Sequence, residues 1–113
     1  MDCIFCRIVK KEIQAEVLYE DSTVLAFKDI LPQAPVHILV IPKKHIPRVM
    51  NLSPEDIPLV GDIHRAVLQL VKKNNVEESG FRLVVNNGPN AGQAVDHLHY
   101  HILAGRKFDW PPG

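Results

Sequence analysis

The chain has 113 residues, 46% of them apolar, which is enough for one compact domain with its own core and too few for two. Thirteen basic side chains balance thirteen acidic ones, so no general basic surface is expected for duplex nucleic acid or an anionic membrane. The apolar run at 38–41 is too short to span a bilayer, and the N-terminus lacks a signal-peptide pattern. We therefore expect a cytoplasmic protein whose partners include neither a nucleic-acid polymer nor a membrane.

Helical and extended patterns follow each other along the chain without repeats. Apolar residues at helical spacing predict a short helix or turn over 3–11, and β-branched and aromatic runs predict strands over 16–20, 24–30 and 36–41. An N-cap serine followed by proline, and then an apolar stripe, predict a long helix over 54–75. A fourth strand over 81–87, a Gly- and Asn-rich loop over 86–93 and a fifth strand over 96–103 follow. The short connections favour an antiparallel sheet, so the predicted class is α+β with five strands and two helices.

The fifth strand carries three histidines at alternate positions, His97, His99 and His101. Alternation in a strand places the three side chains on one face, about 6 to 7 Å apart, while apolar residues of the other parity pack inward. The ring nitrogens of three imidazoles in one row are hard to supply with hydrogen-bond partners unless a ligand, a metal or a reaction uses them. A set of ordinary half-buried histidines is the alternative. The row is therefore the first candidate for a functional site.

Two cysteines, Cys3 and Cys6, form a CxxC motif near the start of the chain. In a reducing compartment such a motif indicates metal binding or redox chemistry more than a structural cross-link. No strand precedes the motif, which gives a redox helix little support. Two buried free thiols are the alternative.

The run His-Leu-His-Tyr-His-Ile-Leu at 97–103 fits the His-x-His-x-His pattern followed by two apolar residues, and the chain resembles the histidine triad superfamily in its nucleotide-binding branch. The resemblance extends over CIFCRIVKKEI, LAFKDILPQAPVHILVIPKKHI, RLVVNNGPNAGQAVDHLHYHILAGR and the terminal WPPG. It implies a single domain of this superfamily over 1–113 and a homodimer whose two sheets join into one continuous sheet. It also implies hydrolysis of purine nucleoside 5'-phosphoramidates, such as adenosine monophosphate linked to an amine.

The resemblance implies a role for each histidine of the site. His99 is the implied nucleophile, which attacks the α-phosphorus to give a nucleotidyl-histidine that water then opens. Its other ring nitrogen has to donate a hydrogen bond, and we expect a backbone carbonyl to accept it. His101 and His37 are the implied partners of the phosphate oxygens.

The remaining nucleotide contacts are also implied by the resemblance. A base needs an apolar slot, a ribose needs a carboxylate that accepts its hydroxyl hydrogens, and a phosphate needs donors from a loop that approaches closely. The implied set is Ile4, Phe5, Ile8, Phe27 and Ile30 at the base, Asp29 at the ribose, and Asn86, Gly92, Gln93, Ala94, Val95, His99 and His101 at the phosphate. Without the resemblance, these apolar residues would be plain core and Asp29 a turn residue.

For the cysteines the resemblance implies a structural zinc site, because Cys3 and Cys6 supply two thiolates and the corresponding histidines of the superfamily are His45 and His97. The tail at 106–113, with Trp110, is implied to reach the active site of the partner subunit. Two positions depart from the superfamily pattern. Ala94 stands where a serine hydroxyl commonly assists the leaving amine, and Asp96 replaces a residue that is commonly aromatic and has no assigned role here.

Two other classes of function stay open at this point. A non-catalytic nucleotide-binding sensor or scaffold would keep the pocket but release no amine from a phosphoramidate. A catalytic metal held by the histidine row is the third class, because histidine pairs of this spacing often bind metals. Chelation would abolish the activity of such a metal site.

Overall fold

The protein, seen in a computed structural model, is described from residue 3 to residue 113 and contains one five-stranded sheet. Neighbouring strands are antiparallel throughout, in the order β1-β2-β3-β5-β4. The predicted α+β class, with one short and one long helix, is confirmed. The elements are α1 (Ile4–Val9), β1 (Val17–Glu20), β2 (Val24–Lys28), β3 (Val36–Pro42), α2 (Ile57–Lys73), β4 (Phe81–Val85) and β5 (Tyr100–Ala104).

The two helices cover opposite faces of the sheet. The apolar stripe of α2, which includes Ile63, Val67 and Leu70, packs on one face with the alternate side chains of the central strands. Phe5 and Ile8 of α1 pack on the other face. Each fully buried side chain of this size stabilises the folded state by about 1.5–3 kcal/mol. Because α2 buries more such side chains than α1, it contributes more to the stability of the core, and α1 is a short helix that covers part of the second face. No helix within 3–113 is long and apolar enough to cross a membrane.

Several predicted boundaries shift by one to three residues. The helix predicted over 54–75 begins with a 3-10 turn, Pro54–Asp56, before α2 proper. β2 ends at Lys28, two residues earlier than predicted, because the Asp29 carboxylate accepts the Leu31 amide and turns the chain away from the sheet. β4 likewise ends at Val85, so Asn86 lies in the following loop.

The prediction that all three histidines lie within the fifth strand is wrong. β5 begins at Tyr100, and the residues from 96 to 99 run beside the segment after β3 instead. Pro42, the last residue of β3, has no N–H for the ladder, and its carbonyl accepts a hydrogen bond from the ring of His97 at 2.8 Å. The Leu98 amide donates to the Ile46 carbonyl. The chain therefore enters β5 through a bend that is held by one side-chain and one backbone hydrogen bond.

Candidate functional site

The rings of the histidine row lie on the α1 side of the sheet and share Phe5 as a neighbour. The Phe5 ring contacts the rings of His97 and His99 edge-on, with centroids 5.8 and 5.3 Å away. The centroids of His99 and His101 are 5.1 Å apart, closer than expected from strand spacing. Leu98, between the first two histidines, packs into the core under α2. The row therefore faces one way, as its alternation predicted, although only His101 is in the strand.

The ring of His99 is held with one nitrogen lone pair free. Its Nδ1–H donates to the carbonyl oxygen of His97 at 2.7 Å, and the side chain is nearly buried. A neutral imidazole with its proton on Nδ1 carries a lone pair on Nε2. The expected carbonyl partner is thus confirmed, and it leaves Nε2 as the ring nitrogen that is not bonded to the backbone.

A second chain of hydrogen bonds fixes His37 and His101. The amide of Gln33 donates to His37 Nδ1 at 3.0 Å, so the proton of His37 is on Nε2, which donates to His101 Nδ1 at 2.9 Å. His101 therefore carries its own proton on Nε2. Burial, and then the neighbouring His99 and His37, lower the pKa of His101 to about 4, and burial also lowers the pKa of His37. Both rings are neutral at pH 7, and the Nε2–H of His101 is the donor at the end of this chain of hydrogen bonds.

The loop before the row presents backbone donors. Within 3–113 the amides of Ala94 and Val95 have no hydrogen-bond acceptor. Gly92 at φ 83° makes the turn that leads to them, a conformation that favours glycine. The Gln93 donors, by contrast, are engaged inside the protein: its side-chain amide donates to the carbonyls of Pro47 and Val95, and its backbone amide donates to Gly88. Donors for an anion at this loop therefore come from positions 94 and 95.

The residues assigned to the base, and Asn86 from the phosphate set, are in three different settings. Phe5, Ile8 and Phe27 are buried in the core under α1, with the Phe5 and Phe27 rings edge-to-face at 5.5 Å. Ile4 is half exposed on α1, and Ile30 is 89% exposed in the loop after β2. Asn86 lies half-buried in the loop directly after β4. Of the residues assigned to the base, Ile4 and Ile30 are thus the ones with substantial exposed surface.

Asp29 has a contact that the sequence did not suggest. Its Oδ2 lies 3.4 Å from Nε2 of His37, while its Oδ1 accepts the Leu31 amide. Its own amide donates to the carbonyl of His37. The predicted ribose acceptor and the predicted phosphate partner are therefore direct neighbours. The only signal in the sequence is that both flank one short loop.

Four side chains at the end of the row have the geometry of a metal site. The ligand atoms of Cys3, Cys6, His45 and His97 all lie within 4.8 Å of one another. The sulfur–nitrogen distances are 3.4, 3.3 and 3.6 Å, and the two Nδ1 atoms are 3.2 Å apart. Tetrahedral zinc with bonds of about 2.3 Å to sulfur and 2.0–2.1 Å to nitrogen requires about 3.5 Å and 3.4 Å for these separations. The donor set fits a tetrahedral metal ion.

The orientation of His97 agrees with that fit. Its Nε2–H donates to the Pro42 carbonyl, which leaves the Nδ1 lone pair pointing at the cysteines. A backbone partner of this kind commonly orients a metal-binding histidine. Complete burial, more than any other effect, lowers the pKa of His97 to about 4, so the ring is neutral and able to bind a metal. His97 shares no cluster of potential ligand atoms with His99 or His101, so the three histidines of the row do not form one metal site.

Asp96, the other departure from the superfamily pattern, lies at the surface. Its carboxylate is 3.4 Å from Nε of Arg48, and both side chains are well exposed. An exposed pair of this kind contributes about 0–1 kcal/mol and plays no evident part in the site.

Comparison with known proteins places these features in a family. Residues 2–109 match the sequence profile of a family described as scavenger mRNA decapping enzyme C-term binding. A HIT-like protein of Synechocystis is 49% identical over 112 residues, covering 99% of this chain and 97% of its own length. A HIT family hydrolase of Legionella pneumophila superposes with a TM-score of 0.97 at 45% identity, covering 99% of this chain and all of its own. A histidine triad nucleotide-binding protein of Candida albicans superposes at 0.84 and 36% identity, covering 97% and 83%.

Proposed function

The chain belongs to the histidine triad (HIT) superfamily, as a hydrolase-like member, and we propose that it hydrolyses purine nucleoside 5'-phosphoramidates through a covalent intermediate on His99. The observation that carries the proposal is the orientation of two neighbouring rings. His99 has a free lone pair on Nε2, and His101 has an N–H on Nε2. A nucleophile and a donor thus lie side by side, with ring centroids 5.1 Å apart.

The first step replaces the P–N bond by a bond from phosphorus to His99. The Nε2 lone pair attacks phosphorus, the P–N bond breaks, and the amine leaves after it gains one proton. The imidazole becomes a cation, whose Nδ1–H stays bonded to the His97 carbonyl. Water then attacks phosphorus, restores the lone pair of His99 and returns one proton to the solution, so that the monophosphate is released and protons balance over the cycle.

Three donors stabilise the charge on the phosphoryl oxygens in this scheme. They are the Nε2–H of His101 and the free amides of Ala94 and Val95. Fixed donors aimed at developing charge are typically the largest contribution to this kind of catalysis. Position 94 has no hydroxyl to protonate the amine, so the enzyme is expected to favour amines that leave with the least help.

Replacement of the nucleophile tests the proposal. His99→Ala should lower kcat for an adenosine phosphoramidate by several orders of magnitude while the Kd for the monophosphate stays within about tenfold, because a nucleophile acts mainly on the transition state. Wild-type protein stopped during turnover should carry one adenylyl group by mass spectrometry. A protein that binds the monophosphate but releases no amine would instead be a nucleotide sensor, and substantial turnover by His99→Ala would exclude His99 as the nucleophile.

We assign zinc to the Cys3, Cys6, His45 and His97 cluster, in a structural role. Two thiolates and two imidazoles in tetrahedral separation are the donor set that zinc prefers, and all four positions are filled by protein, which leaves no place for a substrate. When bound, the ion would fix α1 and the start of the row. It takes no part in the bond changes at phosphorus.

We also assign β4 to a homodimer interface with a second copy of this chain. β4 is an edge strand of the sheet, and its free edge can extend the ladder. Phe81 and Val85 at its two ends are each 38% exposed, and a groove of about 770 Å³ lies between β4 and the tail that carries Phe108 and Trp110. Sedimentation at micromolar concentration should give a dimer, and Val84→Glu should give a monomer. A monomeric wild type would overturn this assignment.

A further inference from the structure

The direction of the hydrogen bond between His37 and His101 depends on one backbone amide. The Gln33 amide donates to Nδ1 of His37 at 3.0 Å, so that ring keeps its proton on Nε2 and donates to Nδ1 of His101 at 2.9 Å. If the Gln33 amide moved away, His37 could hold its proton on Nδ1 instead. His101 would then have to donate from Nδ1, and its Nε2 would carry a lone pair. The same two rings would thus end in an acceptor, where a phosphoryl oxygen needs a donor.

The loop that carries Gln33 is held from outside by the segment after β5. Within the loop, the Gln33 side chain donates to the Leu31 carbonyl. From outside, the Nε–H of Arg106 donates to the Gln33 carbonyl at 3.1 Å. In the part of the chain that the structure describes, no other residue outside 29–37 forms a hydrogen bond with 30–34. The position of Gln33 therefore depends on Arg106.

Further contacts keep Arg106 against this loop. Its guanidinium lies 4.2 Å from the centre of the Phe108 ring, and its Nη1 donates to the Lys107 carbonyl. The preceding residue, Gly105 at φ 91°, packs directly on Pro35. A Cβ at this glycine would lie only 2.8 Å from Cβ of Pro35, so a residue with a side chain would push the loop away. The backbone and the side chain at 105–106 thus both fix the loop.

We propose that Arg106 is a positioning residue, which holds the Gln33 amide on the ring of His37. In this way it keeps a proton on Nε2 of His101, the donor in the proposed hydrolysis, and the inference rests on that function. Arg106 acts through its Nε–H and the loop, and its charge is not required. Because the donor acts on charge that develops in the transition state, the loss of Arg106 should lower kcat more than it changes KM.

Two substitutions separate the hydrogen bond from the charge. Arg106→Gln removes the charge but places an N–H at the chain position of the arginine Nε, whereas Arg106→Met has a similar length and no donor. The side chain is exposed, so neither variant disturbs the core. Arg82→Met is the control for the tail, because the Arg82 guanidinium also lies against the Phe108 ring, at 5.1 Å, and donates to the Asp109 carbonyl.

The first readout is the tautomer of His37, measured from the ¹⁵N shifts of its ring at pH 7, which needs no turnover. Wild type, Arg106→Gln and Arg82→Met should have an unprotonated Nδ1 and a protonated Nε2. In Arg106→Met the two shifts should move towards each other, as they do in a mixture of tautomers. Unchanged shifts in Arg106→Met, or equal changes in Arg106→Gln, would overturn the proposal.

The second readout is the split between kcat and KM for an adenosine phosphoramidate. Arg106→Met should lower kcat about fivefold, the factor that corresponds to one typical hydrogen bond, while KM changes less than about twofold. Arg106→Gln should keep kcat within about twofold of wild type. An equal fall in kcat in both variants would assign the effect to the charge and overturn the proposal. Absence of turnover in wild type would overturn the proposed hydrolysis instead, and the ¹⁵N shifts would still decide the role of Arg106.

Discussion

Loss of the metal is expected to lower the melting temperature of the protein without unfolding it. The change is Cys3→Ser together with Cys6→Ser, which removes both thiolates and keeps the side-chain size. α1 has only six residues and cannot be stable alone, but it buries Phe5 and Ile8, worth about 3–6 kcal/mol together. These contacts do not depend on the metal, so α1 should remain docked in the variant.

The size of the effect follows from linkage. Zinc at about one hundred times its Kd stabilises the folded state by about 2.7 kcal/mol. The entropy of unfolding of a 113-residue chain is about 0.24 kcal/mol/K, so loss of the ion should lower Tm by about 11 °C. The variant should also show faster hydrogen exchange over 3–13.

The assay is calorimetry of the loaded wild type, the chelated wild type and the double variant, with zinc counted by native mass spectrometry. His64→Ala serves as a control, since this exposed histidine lies outside the cluster. One zinc per chain in wild type and none in the variant are expected. A chelated protein and a variant that both melt within 2 °C of the loaded wild type would refute the reasoning, because the four side chains would then hold no stabilising ion.

Three further results are expected. Ala94→Ser should raise kcat/KM for alkylamine phosphoramidates by about tenfold or more relative to aryl amines, and an unchanged ratio would mean that another group supplies the proton. Removing 106–113 should change the ratio of kcat/KM values for different amines while Tm stays nearly the same. An equal loss of kcat/KM for all amines would contradict this. His101 is held neutral, with a pKa of about 4, so its contribution to stability is complete above pH 6.5 and is lost as the pH falls towards 4. The fall in Tm over this range should be smaller in His101→Gln, and equal slopes would contradict the assignment.

The fold and the direction of the histidine row follow from local patterns in the sequence. Alternation at 97–101 predicted a shared face, and the serine, proline and apolar stripe from Ser53 onward predicted the long helix. The start of β5 was not predictable in this way. It depends on the ring of His97 reaching a carbonyl 55 residues earlier, and such a contact leaves no periodic signal.

The Gln93 side chain illustrates the same limit. The resemblance implied a phosphate contact for this residue, yet its amide joins the loop to Pro47, 46 residues away, and its oxygen accepts the amide of Gly88. Residue type alone cannot distinguish a donor that faces a ligand from one that braces the loop. The distinction depends on which backbone groups the fold leaves unpaired nearby, and at this loop those are the amides that follow Gln93.

The three histidines of the row have the same side chain and three different chemical states, and the partner of the other ring nitrogen decides each one. His97 donates from Nε2 to a carbonyl and offers Nδ1 to the proposed metal ion. His99 donates from Nδ1 to a carbonyl and offers Nε2 to phosphorus in the proposed reaction. His101 accepts at Nδ1 from His37 and keeps a proton on Nε2. One side chain thus serves three roles because each partner fixes which ring nitrogen is left for a ligand, and the position of the ring decides which ligand that is.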